Sequence, residues 1–129
     1  MVCADTSFII ALERRELAAI EKMKQLEEEG EVVYTTAVSV AELYSGAYGS
    51  KDKTNALKGA KNLLEMFAVL NLDYESGKMW GELAQSAKSY TIGDRDLFIA
   101  SIVLSNKQTL ITKNKKHFER ISGLPVESW

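Results

Sequence analysis

The sequence holds one cysteine, one proline and one histidine in 129 residues, and each scarcity closes off a class of answer. The lone Cys3, inside the apolar run Val2-Cys3-Ala4, excludes an internal disulfide and any cysteine-based zinc cluster, and reads as a buried packing residue. His117 stands in a lysine-rich stretch, where it reads as exposed or phosphate-facing rather than as a metal ligand. Without a usable Ser-His-Asp or Cys-His set, general-base chemistry by histidine is disfavoured. No apolar run approaches the roughly 18 residues of a membrane span, and Asp5 interrupts the apolar core a signal peptide needs, so a soluble cytoplasmic protein is expected. An excess of positive charge is missing too. Sixteen Lys and Arg face eighteen Asp and Glu, the net charge is -2 and the pI about 5.5, so any contact with a polyanion must be local rather than driven by a protein-wide field. What is present is 46% hydrophobic residues, enough for one core, and a single domain over residues 1–129 is expected.

The apolar residues come in two periods. Short strand-like runs are Val2 to Ala4, Val32 to Thr36, Phe67 to Leu72 and Thr109 to Thr112, with a last edge strand around Gly123 to Val126, where Pro125 is tolerated. Between them the spacing becomes helical. A pattern from Phe8 to Glu13 continues past Arg14 and Arg15 into Leu17, Ile20, Met23 and Leu26, and Gly30 closes it. Val40, Leu43, Tyr44 and Ala47 mark a second helix, and a third from about Thr54 to Met66 should form a hairpin with it across the turn-like Gly49 to Lys53. Asp73 starts a long helix with Met79, Trp80, Leu83 and Ala87, Tyr90 to Gly93 is a loop, Asp94 opens a strongly apolar helix, and Lys113 to Ile121 is the last. Apolar strands alternating with helices predict a three-layer α/β/α fold around a mostly parallel sheet of four to five short strands. In such sheets ligands bind beyond the carboxyl ends of the strands.

Three acids stand at such places. Asp5 follows the first strand directly; it is either a helix cap or part of a site. Glu42 has Val38, Ser39, Ser45 and Gly46 on its own helical face and no cation among them, so its burial would cost several kcal/mol unless a metal ion or a distant Lys or Arg neutralises it. Asp94 and Asp96 flank Arg95 at the start of the apolar helix, where acids complement the helix dipole, and Asp96 has room beside Gly93 and Ala100. Carboxylates from distant parts of the chain suit a hard cation, Mg²⁺ or Mn²⁺, better than zinc. Activated water then becomes the economical nucleophile, which points to phosphodiester hydrolysis.

The ordered segments Val2-Cys3-Ala4-Asp5-Thr6-Ser7-Phe8-Ile9, Ser39-Val40-Ala41-Glu42-Leu43, Gly93-Asp94-Arg95-Asp96-Leu97-Phe98-Ile99-Ala100 and Leu110 to Ile121 resemble the signatures of PIN domains. The short length and the ending Gly123 to Trp129 are most similar to VapC toxins among them. The resemblance covers nearly the whole chain. It implies an Mg²⁺- or Mn²⁺-dependent endoribonuclease acting on RNA, silenced by a VapB-like antitoxin and commonly a homodimer, with Asp5, Glu42 and Asp96 as the catalytic, metal-holding acids. Where many members carry a fourth acid this chain has Asn114, which would weaken a second metal, and Asp94 is the residue that could compensate.

Lys113, Lys115, Lys116, His117 and Arg120 form a basic patch that reads equally as a phosphate-contacting surface or a solvated helix face, and Thr112, Asn114 and nearby lysines are candidates to stabilise the leaving oxygen. Tyr44 and Tyr48 suit an interface, and Trp80 suits the core. Two rivals remain: a catalytically weak PIN-fold module that binds RNA or scaffolds a complex, and a phospho-receiver domain. The latter fits poorly, because the first strand ends on Asp5 alone.

Overall fold

The computed structural model describes residues 1–86 and 92–129. Tyr90 and Thr91 of the loop read at Tyr90 to Gly93, and Ala87 of the long helix, lie outside the described residues. Strand β1 (Val2–Ala4) leads into α1 (Thr6–Glu13) and α2 (Leu17–Glu28), and β2 (Val33–Thr36) into α3 (Ala37–Tyr48) and α4 (Lys53–Leu64). Then follow β3 (Ala68–Leu70), α5 (Tyr74–Ser86), α6 (Asp94–Ser105), β4 (Thr109–Ile111), the single turn α7 (Lys115–Phe118) and β5 (Val126–Glu127). The strands form one sheet in the order β3-β2-β1-β4-β5, every neighbouring pair parallel.

Side chains alternate across each strand, and that alternation divides the interior into two cores. Val2 and Ala4 of β1, Val33 of β2 and Ile111 of β4 pack with Phe8, Ile9, Met23, Leu26 and Leu64 of α1, α2 and α4. Cys3, Tyr34 and Leu110, the residues one place along, pack instead with Leu83, Leu97, Ile99, Val103 and Phe118 of α5, α6 and α7. The predicted α/β/α layering is therefore present, with the sheet parallel throughout rather than mostly so. Buried Cys3 belongs to the second core, where desolvation and the nearby Asp5 charge push its thiol up to about 12, so it is a packing residue and not a nucleophile. Trp80 stacks on Phe98 at 5.1 Å between ring centres, as expected of a core residue, while Tyr48 is 61% exposed. The C-terminal Trp129 meets Phe8 edge-on at 5.0 Å. The expected helical hairpin forms as α3 against α4.

Two expectations need correction. The pattern from Phe8 to Leu26 is two helices, not one, and Leu17, counted on its apolar face, is 77% exposed. The break is at Arg15, whose φ of 58° lies in the left-handed region. There the amides of Arg15 and Glu16 donate to the carbonyls of Leu12 and Ala11, satisfying carbonyls that α1 leaves free. The same pair of bonds closes α2, from Gly30 to Glu27 and from Glu31 to Leu26, with Gly30 at φ 73°. The last helix is likewise shorter than the predicted Lys113 to Ile121, because α7 ends at Phe118, which together with Ile121 and Leu124 anchors the segment to the core.

A Cβ added at Gly30 would meet nothing within 4 Å, so the cost of filling that position is conformational alone. Gly30→Ala should lower stability by about 1 kcal/mol, whereas Arg15→Gly should leave it unchanged or raise it by up to about 1 kcal/mol, as read from urea unfolding midpoints. A loss of stability in Arg15→Gly comparable to that of Gly30→Ala would contradict this account of the break.

Candidate active site

The strand order reverses direction between β1 and β4: β2 and β3 lie to one side, β5 to the other. The crevice beyond the carboxyl ends of the two strands at such a switch point is where parallel sheets place ligands. Asp5 and Thr112 are the residues that directly follow β1 and β4, and both are buried. The Thr112 hydroxyl donates to Asp5 Oδ2 at 2.6 Å, and the Ser7 hydroxyl donates to Oδ1 at 2.5 Å, with the Phe8 amide adding a 3.3 Å bond to Oδ1 as a helix cap. Each hydroxyl has its lone pair engaged in turn: Lys113 N donates to Ser7 Oγ and Asn114 N to Thr112 Oγ1, both at 3.0 Å. Backbone amides thus fix which way the two hydroxyl protons point, and both point at the carboxylate. Burial raises the Asp5 carboxyl above its ordinary value, while the bonds from Ser7, Thr112 and the Phe8 and Ser7 amides pull it back down. The cap and site readings of Asp5 are both met by one side chain.

Glu42 projects from α3 and is reached from both sides. Thr6, next to Asp5, lies 2.9 Å from Glu42 Oε1 and 3.0 Å from Ser39 Oγ; its single proton serves the carboxylate, so Ser39 must donate to it. Thr36 caps α3 through the Ser39 amide at 3.1 Å, which fixes the start of the helix that carries Glu42. On the other side Arg95 Nη1 stands 3.5 Å from Glu42 Oε2. This is the distant arginine that was one alternative for neutralising Glu42. Glu42 also shares a cavity of about 580 Å³ with Gly93, Asp94, Arg95 and Asp96 at the start of α6. His117 Nε2 lies 3.1 Å from Asp96 Oδ2, close enough for an ion pair but outside hydrogen-bond geometry, since the buried nitrogen has no hydrogen-bond partner among the described residues.

The structure therefore brings Glu42, Asp94 and Asp96 to one cavity and ties Asp5 to it through the Thr6 backbone and hydroxyl. As placed, no three acidic, histidine or cysteine side chains among the described residues stand together as a finished ligand set. The donors nonetheless fit a hard cation in kind: all are carboxylates, and Asp5 has no ion-pair partner among the described residues. Two sequence readings change. The Thr112 hydroxyl, a candidate to stabilise the leaving oxygen, donates its proton to Asp5. His117 faces Asp96 rather than solvent. In the basic patch Lys113, Lys115, Lys116 and Arg120 are exposed, as is Asn114, and Lys115 also pairs with Glu119 at 3.8 Å. Thr6, Ser7 and Ser39 were not singled out as site residues, although Thr6 and Ser7 directly follow Asp5.

A family model described as PIN domain matches residues 2–124, nearly the whole chain. The chain belongs to the PIN-domain family. Within that family its relatives are of the VapC kind: Ribonuclease VapC1 of Haemophilus influenzae is 33% identical over 128 residues, covering 97% of this chain and 95% of the relative. Ribonuclease VapC2 of Rickettsia felis is 31% identical over 96 residues, 73% of this chain and 72% of the relative. Among solved structures, VapBC2 from Rickettsia felis bound to a DNA fragment from its promoter superposes with a TM-score of 0.93 at 26% identity, covering 100% of this chain and 99% of that one. VapBC-1 from nontypeable Haemophilus influenzae gives 0.88 at 28%, with 100% and 98% covered. The PIN fold expected from the sequence is thus the fold observed.

The hydroxyl clamp gives this PIN domain a testable signature. Thr112→Val removes a donor from a buried carboxylate and should cost about 1–3 kcal/mol in urea unfolding, with Thr112→Ser losing less than half of that. Folded Asp5 holds its proton more tightly than the unfolded chain, whose ordinary value is 3.8. Between that value and the raised native one the folded state carries more protons, so this residue's contribution to stability falls as pH rises. Relative to Asp5→Asn, the metal-free wild type should be at its most stable in acid and lose ground as pH climbs through that window; a constant difference would contradict the burial of the charge.

Proposed function

We propose that this chain is an endoribonuclease that hydrolyses RNA phosphodiester bonds with Mg²⁺ or Mn²⁺, as the toxin of a toxin–antitoxin pair. Asp5, Glu42 and Asp96 are its catalytic acids and would hold the cation, with Glu42 turning from Arg95 and Asp96 from His117 to do so. The observation that carries the reading is Asp5: a buried carboxylate aimed by two oriented hydroxyls at the switch point of the sheet, with no cation of its own. A bound divalent cation supplies an activated water and charge for the phosphoryl transition state. The chain's own residues do the rest. Thr112 and Ser7 keep Asp5 from rotating, Thr6 steers Glu42, and the exposed Lys113, Lys116 and Arg120 offer phosphate contacts that position a strand without reading it.

Several comparisons support the reading. The two relatives above are named ribonucleases, and the two structural neighbours above are VapBC complexes. A VapB-like antitoxin is accordingly the proposed partner, and cytoplasm the proposed compartment; no helix among the described residues is long and apolar enough to cross a membrane. Tyr48, Leu72 and Tyr74, large and exposed, support a homodimer or antitoxin surface.

The test is cleavage of structured RNAs by the metal-loaded protein, by the chelated protein, and by Asp5→Asn and Asp96→Asn. Cutting should require Mg²⁺ or Mn²⁺ and fall by at least about a hundredfold in each variant, and Mn²⁺ should raise the wild-type melting temperature but not that of Asp5→Asn. Cleavage that survives chelator or both substitutions overturns the proposal, and RNA binding without products favours a binding module instead.

A further inference from the structure

Arg95 occupies the second position of α6, between two acids, yet its guanidinium turns away from both toward Glu42 on α3. The separation is 3.5 Å and the arginine side chain is 77% exposed, so the pair is long and wet. Such contacts hold weakly and exchange readily. Among the described residues Arg95 has no other ion pair, which leaves most of its five donors unused.

The position of the pair is its second peculiarity. Glu42 and Arg95 line the acidic cavity of about 580 Å³ with Gly93, Asp94 and Asp96, and they also line an open cavity of about 470 Å³ walled by Ala37, Val38, Ala41, Ser45 and Leu72. The ion pair is the partition between a carboxylate-lined compartment and an apolar one. A strand crossing that partition would set a backbone phosphate beside the guanidinium, with the compartments to either side.

Resting on the ribonuclease reading above, we propose that Arg95 works in two positions: it neutralises Glu42 while the site is metal-free, and it binds an RNA phosphate once a divalent cation takes Glu42. Glu42 cannot satisfy both cations at once, and a doubly charged ion in the same cavity repels the guanidinium. A phosphate at the partition then offers what Glu42 withdrew, in a geometry that matches the planar fork better than an ammonium would. Arg95 is thereby a competitor for metal and a ligand for substrate. A plain surface ion pair would lack the second role, and a structural clamp on α6 would lack the first.

The two roles predict effects of opposite sign in one variant. By calorimetry with Mn²⁺ alone, Arg95→Gln should bind the ion about two- to fivefold more tightly than wild type, because a weak exposed competitor is gone. By fluorescence anisotropy in Mn²⁺ with a cleavage-resistant phosphorothioate oligoribonucleotide, the same variant should bind about threefold or more weakly, with a log–log salt slope smaller by about 1. In chelator the loss of RNA binding on substitution should be smaller than in Mn²⁺, since Glu42 then competes with the phosphate for the arginine. Arg95→Lys keeps the charge and should restore the salt slope, and unchanged urea midpoints exclude a clamp. Tighter metal binding without weaker RNA binding, or the reverse, overturns the exchange while the ribonuclease reading stands. A wild type that binds no Mn²⁺ and cuts no RNA overturns that reading and this inference together.

Discussion

A negative charge buried where two strands end is the constraint on which the rest of the site depends. Asp5 is 4% exposed, and burying a carboxylate without compensation costs far more than a small domain can spare. The chain compensates with hydroxyls rather than with a cation. Ser7 and Thr112 donate to the two oxygens, and the amides of Lys113 and Asn114 hold those hydroxyls in their donor orientation. The clamp joins β1 to the segment after β4, neighbours in space but 107 residues apart in sequence. It therefore ties the two halves of the sheet together at the switch point of the strand order. Neutral donors also leave the charge unspent, as a carboxylate needs if it is to bind a cation from solution.

Much of this could be read in advance from periodicity. Val2, Cys3 and Ala4 announce a strand buried on both faces, and both cores duly claim its residues in alternation. Asp5 and Asp96 could be placed at element ends because a polar residue directly beside a buried run has few other locations. What stayed hidden was of two physical kinds. Local conformation without its usual residue was one: α1 and α2 close with the same pair of bonds, but Gly30 betrays the left-handed turn in one case and Arg15 conceals it in the other. Pairing across the fold was the other. Arg95 with Glu42 and His117 with Asp96 join helices whose relative placement no spacing within either helix encodes. The helical face of Glu42 carries no cation, and the one that meets it comes from α6.

Those cross-fold pairs bear on how a protein with a net charge of -2 keeps several acids around one cavity. Glu42 faces the Arg95 guanidinium, which relieves the repulsion among the acids while the cavity is without an ion, and Asp96 faces His117, which adds to that only when protonated. Both pairs are at least partly open to water, and such pairs are weak, which lets the acids change partner at small cost. Asp5 differs because its partners are hydroxyls fixed by backbone amides. Burial thus separates the acids into one held by fixed hydroxyls, Asp5, and two that face basic side chains nearer the surface, Glu42 and Asp96.

Asn114 fits the same division. The resemblance to PIN domains implies an acid two places after Thr112, and the amide found there carries no negative charge to the rim. Its side chain is exposed and makes no cap bond to α7, while its backbone amide supports Thr112 and through it Asp5. The position therefore serves the clamp through a group that every residue but proline possesses, and the side chain is free to vary without loosening Asp5. Losing the rim acid lowers the demand for positive charge at the site. Asp5, Glu42, Asp94 and Asp96 are already four carboxylates, so one dication would leave about two negative charges, within reach of Arg95 and an exposed lysine such as Lys113, whereas a further acid would call for a second metal or a cation lent by a partner.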